Sequence, residues 1–317
     1  MVILITGGAG FIGSHLCERL LGERHRVVCL DNFDDFYDPH IKRRNIQEAT
    51  KNAGFELVEG DIRDNHLLAR VFQGQTFDVV VHLAARAGVR PSIDCPKLYE
   101  KVNVQGTVSL LDACREFGTK SIVFASSSSV YGGNSKVPFS EKDRVETPIS
   151  PYGATKKAGE LFCYTYHRLF GINIACLRYF TAYGPRQRPE MAIHKFTRLI
   201  DADEKVPIYG DGQSMRDYTY IDDIIDGTMG AIYANEGYEI YNLGESRTIR
   251  LSDLIRVLEK TLGKKAIIEG LPVQRGDMPV TYANIEKARK KLSYAPRVTM
   301  EEGIRRFVEW YRQNRFA

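Results

Sequence analysis

The sequence predicts an α/β fold, a doubly wound parallel sheet with a smaller α/β C-terminal part. Three observations predict it. The chain opens on an apolar strand pattern, Val2-Ile3-Leu4-Ile5-Thr6, that runs into a glycine-rich turn and then into helical apolar spacing at Ile12, Leu16, Leu20 and Leu21. Strand and helix patterns then alternate through the first half, as parallel strands joined by crossover helices require. The fourth strand pattern, 77–83, is almost wholly apolar, as a central strand covered on both faces should be.

The turn after the first strand carries Gly7, Gly10 and Gly13, with Phe11 and Ile12 between the last two. Glycines at this spacing allow a tight turn, close approach of backbone to a pyrophosphate, and close helix–strand packing, with the anion at the positive helix N-terminus. The motif has the context it needs, a strand before and a helix after. A second strand, Arg26-Val27-Val28-Cys29-Leu30, ends in Asp31, near the expected distance of about 20 residues for a carboxylate that binds a ribose 2′-hydroxyl. A polar, aromatic segment, 32–39, is expected as a loop near the adenosine, leading into a basic helix over 40–52. The third strand, 55–58, runs into Gly60-Asp61-Ile62. Asp61 suits an adenine contact, the N-cap of a helix starting near Asn65, or both. After the fourth strand, Ala84-Ala85-Arg86-Ala87-Gly88-Val89-Arg90 offers small residues against which a cofactor can lie. Arg86 and Arg90 face either a phosphate or carboxylate, or solvent. A helix over 102–117 is apolar all round and needs more than one partner surface, which a second subunit would supply.

The fifth strand, 121–125, ends in Ser126-Ser127-Ser128-Ser129. Four hydroxyls there lie at the sheet edge where doubly wound folds bind ligands. Downstream comes Pro151-Tyr152-Gly153-Ala154-Thr155-Lys156, with proline favouring a helix start and Tyr152 and Lys156 on one face. Free tyrosine has a pKa of about 10, and a nearby ammonium would lower it toward a usable base. Ser127, Tyr152 and Lys156 therefore form a candidate proton-transfer set beside a nicotinamide.

Net charge is +4 over 317 residues, too mild to indicate nucleic acid and compatible with an anionic small substrate. The six cysteines form no Cys-x-x-Cys pair, so neither a metal site nor a disulfide framework is indicated, and reduced thiols in the cytoplasm are the simplest reading. No apolar run is long enough to span a bilayer.

These motifs together resemble the extended short-chain dehydrogenase/reductase superfamily, a Rossmann fold, over nearly the whole chain. Within it the sequence is similar to the nucleotide-sugar 4-epimerases, and most to the UDP-glucuronate 4-epimerase group. The residues that carry this are Asp31-Asn32-Phe33, Phe36-Tyr37-Asp38-Pro39, Ala87-Gly88-Val89-Arg90 and the run from Arg178 to Pro189, expected as a loop dense in arginine and aromatic residues. The resemblance implies NAD as cofactor, held by the glycine turn, Asp31, Asn32, Asp61, Ile62, Leu83, Ala84, Ala85, Asn103, Tyr152 and Lys156. It implies a UDP-sugar substrate, with uracil near Ile208 and Tyr209, the diphosphate on Arg216 and Arg275, and a ribose hydroxyl on Asp277. Arg90 and Arg188 join that substrate set. Ser127 would orient the sugar O4, and Ser128 and Thr181 would grip a C6 carboxylate. Thr181 stands where galactose-type epimerases usually carry Asn. Dehydratases and decarboxylases of the superfamily usually carry an acid just after the strand-end hydroxyl, and here Ser128 and Ser129 stand instead. The expected division is 1–177 with about 214–243 for the cofactor, and about 178–213 with 244–317 for the UDP-sugar. A homodimer is expected, and the helices over 102–117 and 161–170 either pair between its subunits or serve as ordinary core helices.

Overall fold

A computed structural model describes residues 1–314 apart from 274, 275 and 277. Seven strands form the main sheet: β1 (Val2–Thr6), β2 (Arg26–Asp31), β3 (Phe55–Glu59), β4 (Val79–His82), β5 (Ser121–Ser127), β6 (Asn173–Tyr179) and β7 (Tyr238–Leu243). Their spatial order is β7-β6-β5-β4-β1-β2-β3, every neighbouring pair parallel. Strand order reverses between β1 and β4, and the crevice there is where such sheets take ligands.

Side-chain alternation explains why the strands read as continuously apolar. Ile3 and Ile5 enter one core with Leu16 and Leu20 of helix α1 (Phe11–Gly22). Leu4 enters the other core, with Leu68 and Phe72 of α2 (Asn65–Gly74), Leu110 and Leu111 of α3 (Gly106–Glu116), and Cys163 of α4 (Pro151–Phe170). A period of two with helices on both faces makes every position apolar. Of the seven main-sheet strands only the edge strand β3 is largely exposed. Its Glu56 and Glu59 pair with Arg26 and Arg43, charges that suit an unpaired edge. Helix α5 (Ile221–Tyr233) packs beside α1, and shorter strand pairs flank the sheet's C-terminal side, among them Thr181–Tyr183 with Tyr218–Tyr220 and Lys205–Tyr209 with Ile267–Leu271.

Four local expectations change. The basic helix over 40–52 is two pieces, Pro39–Asn45 and a 3₁₀ turn at Ala49–Lys51. The helix over 102–117 begins as a wide π-helical turn, Lys101–Gln105, before α3. Asp64, not Asp61, caps α2, accepting from the Leu67 N–H at 3.0 Å. Arg178 lies inside β6, fully buried, rather than in the following loop. Its guanidinium meets the buried Glu160 carboxylate bidentately, at 2.7 and 2.8 Å, and stacks over the Tyr131 ring. Removing one partner of such a pair strands a buried charge. Glu160→Gln is therefore expected to cost about 3–5 kcal/mol of stability, read from urea denaturation.

Candidate active site

The C-terminal ends of β1, β2, β4, β5 and β6 open onto one cavity of about 430 Å³. Gly7, Gly10, Phe11, Ile12 and Gly13 line one end of it. Gly7 has φ +72°, and a Cβ there would lie 2.7 Å from the Ala84 nitrogen; a Cβ on Gly13 would strike the Gly7 carbonyl oxygen. Glycine is what lets the turn fold this tightly. Gly10 caps the start of helix α1 and brings no side chain, so none competes with an anion for its first N–H groups. Asp31 is buried at the end of β2 and accepts from the backbone N–H of Ala9 at 3.1 Å and of Phe33 at 2.9 Å. Burial raises its pKa, and the Lys42 charge opposes that. This cradle, the bare helix end and the strand-end carboxylate fit a dinucleotide such as NAD.

Asn32, Asp61, Ile62, Leu83, Ala84 and Ala85 line the same stretch. The Asp61 carboxylate accepts from the Asn32 amide at 2.9 Å and from Arg63 at 2.7 Å, and these bonds, Arg63 foremost, hold its pKa near 2.

Ser127, Tyr152 and Lys156 come together on the opposite wall. Ser150 caps α4, accepting from the Gly153 N–H at 3.1 Å, and Pro151 fills the first helical position. A Cβ on Gly153 would sit 2.6 Å from the Ser129 carbonyl oxygen. Only glycine lets the helix start pack this close to the serine turn. Burial raises the Tyr152 phenol; a hydrogen bond with Ser127 and the charge of Arg188 pull the other way. The expected lowering by Lys156 is not met, because Arg188 is the cation acting on the phenol. Lys156 is buried, donates to the Ala125 carbonyl at 2.7 Å, and is lowered by burial to about 8.

Ser128, Thr181 and Arg188 line the cavity beside this set. Other expected contacts lie off its wall. Asn103 is buried and turned inward: its oxygen accepts from the Arg86 N–H, and its amide donates to the Arg86 carbonyl and to Thr155. Arg90 stacks on Tyr209, 4.6 Å from the ring centre, which joins the helix Val89–Asp94 to the strand that carries Ile208. Arg216 donates to the carbonyls of Met215 and Pro279. Arg275 and Asp277 lie outside the described residues.

The sequence placed the 32–39 segment near the cofactor and left Arg86 facing an anion or solvent, but did not pair the two. Asp34, Phe36, Tyr37 and Arg86 line the cavity. Arg86 grips Asp34 at 2.6 and 2.8 Å, and Phe36 lies against both Arg86 and Arg188. The aromatic pair in 32–39 was the available signal, but its partners lie far along the chain. Among the described residues no cluster of His, Cys, Asp and Glu is placed to hold a metal, and no helix is long and apolar enough to cross a membrane.

Comparison with known proteins places this geometry. A family model described as GDP-mannose 4,6 dehydratase matches residues 4–307. A UDP-glucuronate 4-epimerase of Thermodesulfobacterium geofontis is 44% identical over 312 residues, 98% of this chain and 96% of that protein. The crystal structure of a UDP-glucuronic acid 4-epimerase from Bacillus cereus, in complex with UDP-glucuronic acid and NAD, superposes with a TM-score of 0.93 at 40% identity over 99% of both chains. A UDP-glucose 4-epimerase from Thermotoga maritima, with UDP-glucose, gives 0.91 at 33% identity over 99% of both. The chain therefore belongs to the family described as GDP-mannose 4,6 dehydratase, within the extended short-chain dehydrogenase/reductases.

Proposed function

We propose that the chain converts UDP-glucuronate to UDP-galacturonate by NAD-dependent epimerisation at C4, through a 4-keto intermediate. The observation that carries this is the Ser127–Tyr152 pair at the end of a dinucleotide cavity whose neighbouring positions, 128, 129 and 181, hold hydroxyls and no carboxylate. Relatives of similar length named UDP-glucuronate 4-epimerase support the substrate. NAD, when bound, would supply the hydride acceptor and donor that C4 epimerisation requires. The glycine turn and Asp31 hold the dinucleotide. Tyr152 takes the O4 proton and gives it back, Ser127 orients O4, and Lys156 contacts the nicotinamide ribose.

The 4-ketone stands β to the C6 carboxylate, so the intermediate is prone to lose carbon dioxide. Hydroxyls of Ser128 and Thr181, with the Arg188 guanidinium, hold that carboxylate where decarboxylation is disfavoured. No acid at 128 or 129 serves elimination, which distinguishes the site from a dehydratase. Ile208, Tyr209, Arg216, Arg275, Asp277 and Arg90 are proposed for the nucleotide half of the substrate. In this reading 1–177 with 214–243 serves the cofactor, and 178–213 with 244–317 serves the UDP-sugar. The exposed Leu161, Phe162 and Leu169 of α4 offer an apolar face for a homodimer. Five buried free cysteines suit the reducing cytoplasm, and no nucleic-acid or membrane partner enters this reading.

Proton NMR of the protein with UDP-glucuronate and a trace of NAD should show the UDP-galacturonate anomeric signal grow without carbon dioxide release. A pentose product would make the chain a decarboxylase, and conversion of UDP-glucose alone would make it a neutral-sugar epimerase. Tyr152→Phe should lower kcat about 10²–10⁴-fold while substrate still binds. Because Tyr152 works as the phenolate, activity should rise with pH through its pKa. Ser127→Ala removes a hydrogen bond that lowers that pKa, so the rising limb of its kcat/KM profile should move to higher pH.

A further inference from the structure

His82 sits at the end of β4, buried between two threonines and off the cavity wall. Its Nδ1 lies 2.7 Å from the Thr6 hydroxyl, and its Nε2 lies 3.0 Å from the Thr107 hydroxyl. The proton directions can be counted. Thr107 spends its one O–H on the Asn103 carbonyl at 2.6 Å, so it must accept from His82. Nε2 therefore carries the hydrogen. Burial keeps the ring neutral, with a pKa pushed down to about 3, so Nδ1 is bare and accepts from Thr6. Thr6 in turn accepts from the Ala84 N–H at 3.3 Å.

The chain continues past Asn103. Its amide orientation is fixed, since its oxygen meets a backbone N–H of Arg86 and its nitrogen meets the Arg86 carbonyl. The same amide donates at 3.0 Å to Thr155, whose O–H goes to the Tyr152 carbonyl at 2.9 Å. Asn103 lies in the π-helical turn Lys101–Gln105, a widening of the helix that often marks functional sites. A line of polar groups thus runs from Thr6 to the backbone of Tyr152, hydrogen-bonded throughout except at Asn103, where it passes covalently from the backbone carbonyl to the side-chain amide.

We propose that His82 is a positioning residue, held as the Nε2–H tautomer, that sets the place of Tyr152 relative to the dinucleotide wall through Thr107, Asn103 and Thr155. The proposal rests on Tyr152 being the proton-transfer residue. It assigns His82 no contact with substrate or cofactor. Its effect is carried by the hydrogen bonds that hold Thr107 and, through the Asn103 carbonyl, the turn that bears Asn103, bonds a well-packed apolar side chain cannot supply.

The test combines one spectroscopic and one kinetic readout on the full chain with NAD present. Long-range ¹H–¹⁵N NMR of ring-labelled histidine should find Nε2 protonated and Nδ1 bare at His82. A protonated Nδ1 overturns the proposal. His82→Leu should lower kcat on UDP-glucuronate by about tenfold or more, as small misplacements at a reacting centre do, while KM changes by less than about threefold. His82→Gln, which can donate to Thr107 and accept from Thr6, should recover most of the loss. Thr107→Val cuts the same line at another point, should match His82→Leu, and serves if that variant does not fold. Wild-type kcat in both Leu and Val variants overturns the proposal, as does equal damage in His82→Leu and His82→Gln. A wild-type protein that turns over no UDP-sugar overturns the epimerase reading instead. The Tyr152 phenol, followed by tyrosine-ring NMR and assigned by Tyr152→Phe, then decides. Its titration midpoint should move in Thr107→Val, and an unmoved midpoint overturns the positioning role.

Discussion

One buried carboxylate ties together the segments on which the site is built. Glu160 accepts from Ser126 at the end of β5 and from Arg178 in β6, and Lys157 of its own helix approaches its other oxygen. Ser126 precedes Ser127, Arg178 leads through β6 to Thr181, and Glu160 lies one turn beyond Lys156 on α4. Hydrophobic burial is non-directional and would allow these elements to slide. Charge-assisted hydrogen bonds have direction and length, and here they fix how two strand ends and a helix meet.

The cradle and the serine turn are then placed by close backbone approach. Gly13 and Gly153 each sit where a Cβ would collide with a carbonyl oxygen of the facing turn. At both ends of the cavity the protein brings main chain against main chain.

What was legible in the sequence is what is local. The glycine turn, Asp31, the serine strand end and the Tyr152–Lys156 spacing each lie within one turn or one strand end, and the structure gathers them at a single cavity. The family resemblance followed from the same local strings. Partners distant in sequence were not legible. Arg178 reads as a loop arginine until Glu160, 18 positions away, is folded against it. Arg86 reads as a surface residue until Asp34, 52 positions away, meets it. Asp61 and Asp64 compete for one cap three positions apart, and the carboxylate left over takes Arg63 and Asn32. Asn103 turned out to be braced inward because a π-helical turn shifts the register of the helix that carries it.

The Asp34–Arg86 ion pair bears on the lifetime of the bound cofactor. It links the segment after β2 to the segment after β4, two walls of the dinucleotide groove, with Phe36 packed against the bridging guanidinium. A dehydrogenase that releases its spent nucleotide on every cycle would be slowed by such a strap. An isomerase ends each cycle with its nucleotide in the oxidation state in which it began, and has no need to let it go. For this chain, an ion pair that bridges two walls of the groove is compatible with fast turnover.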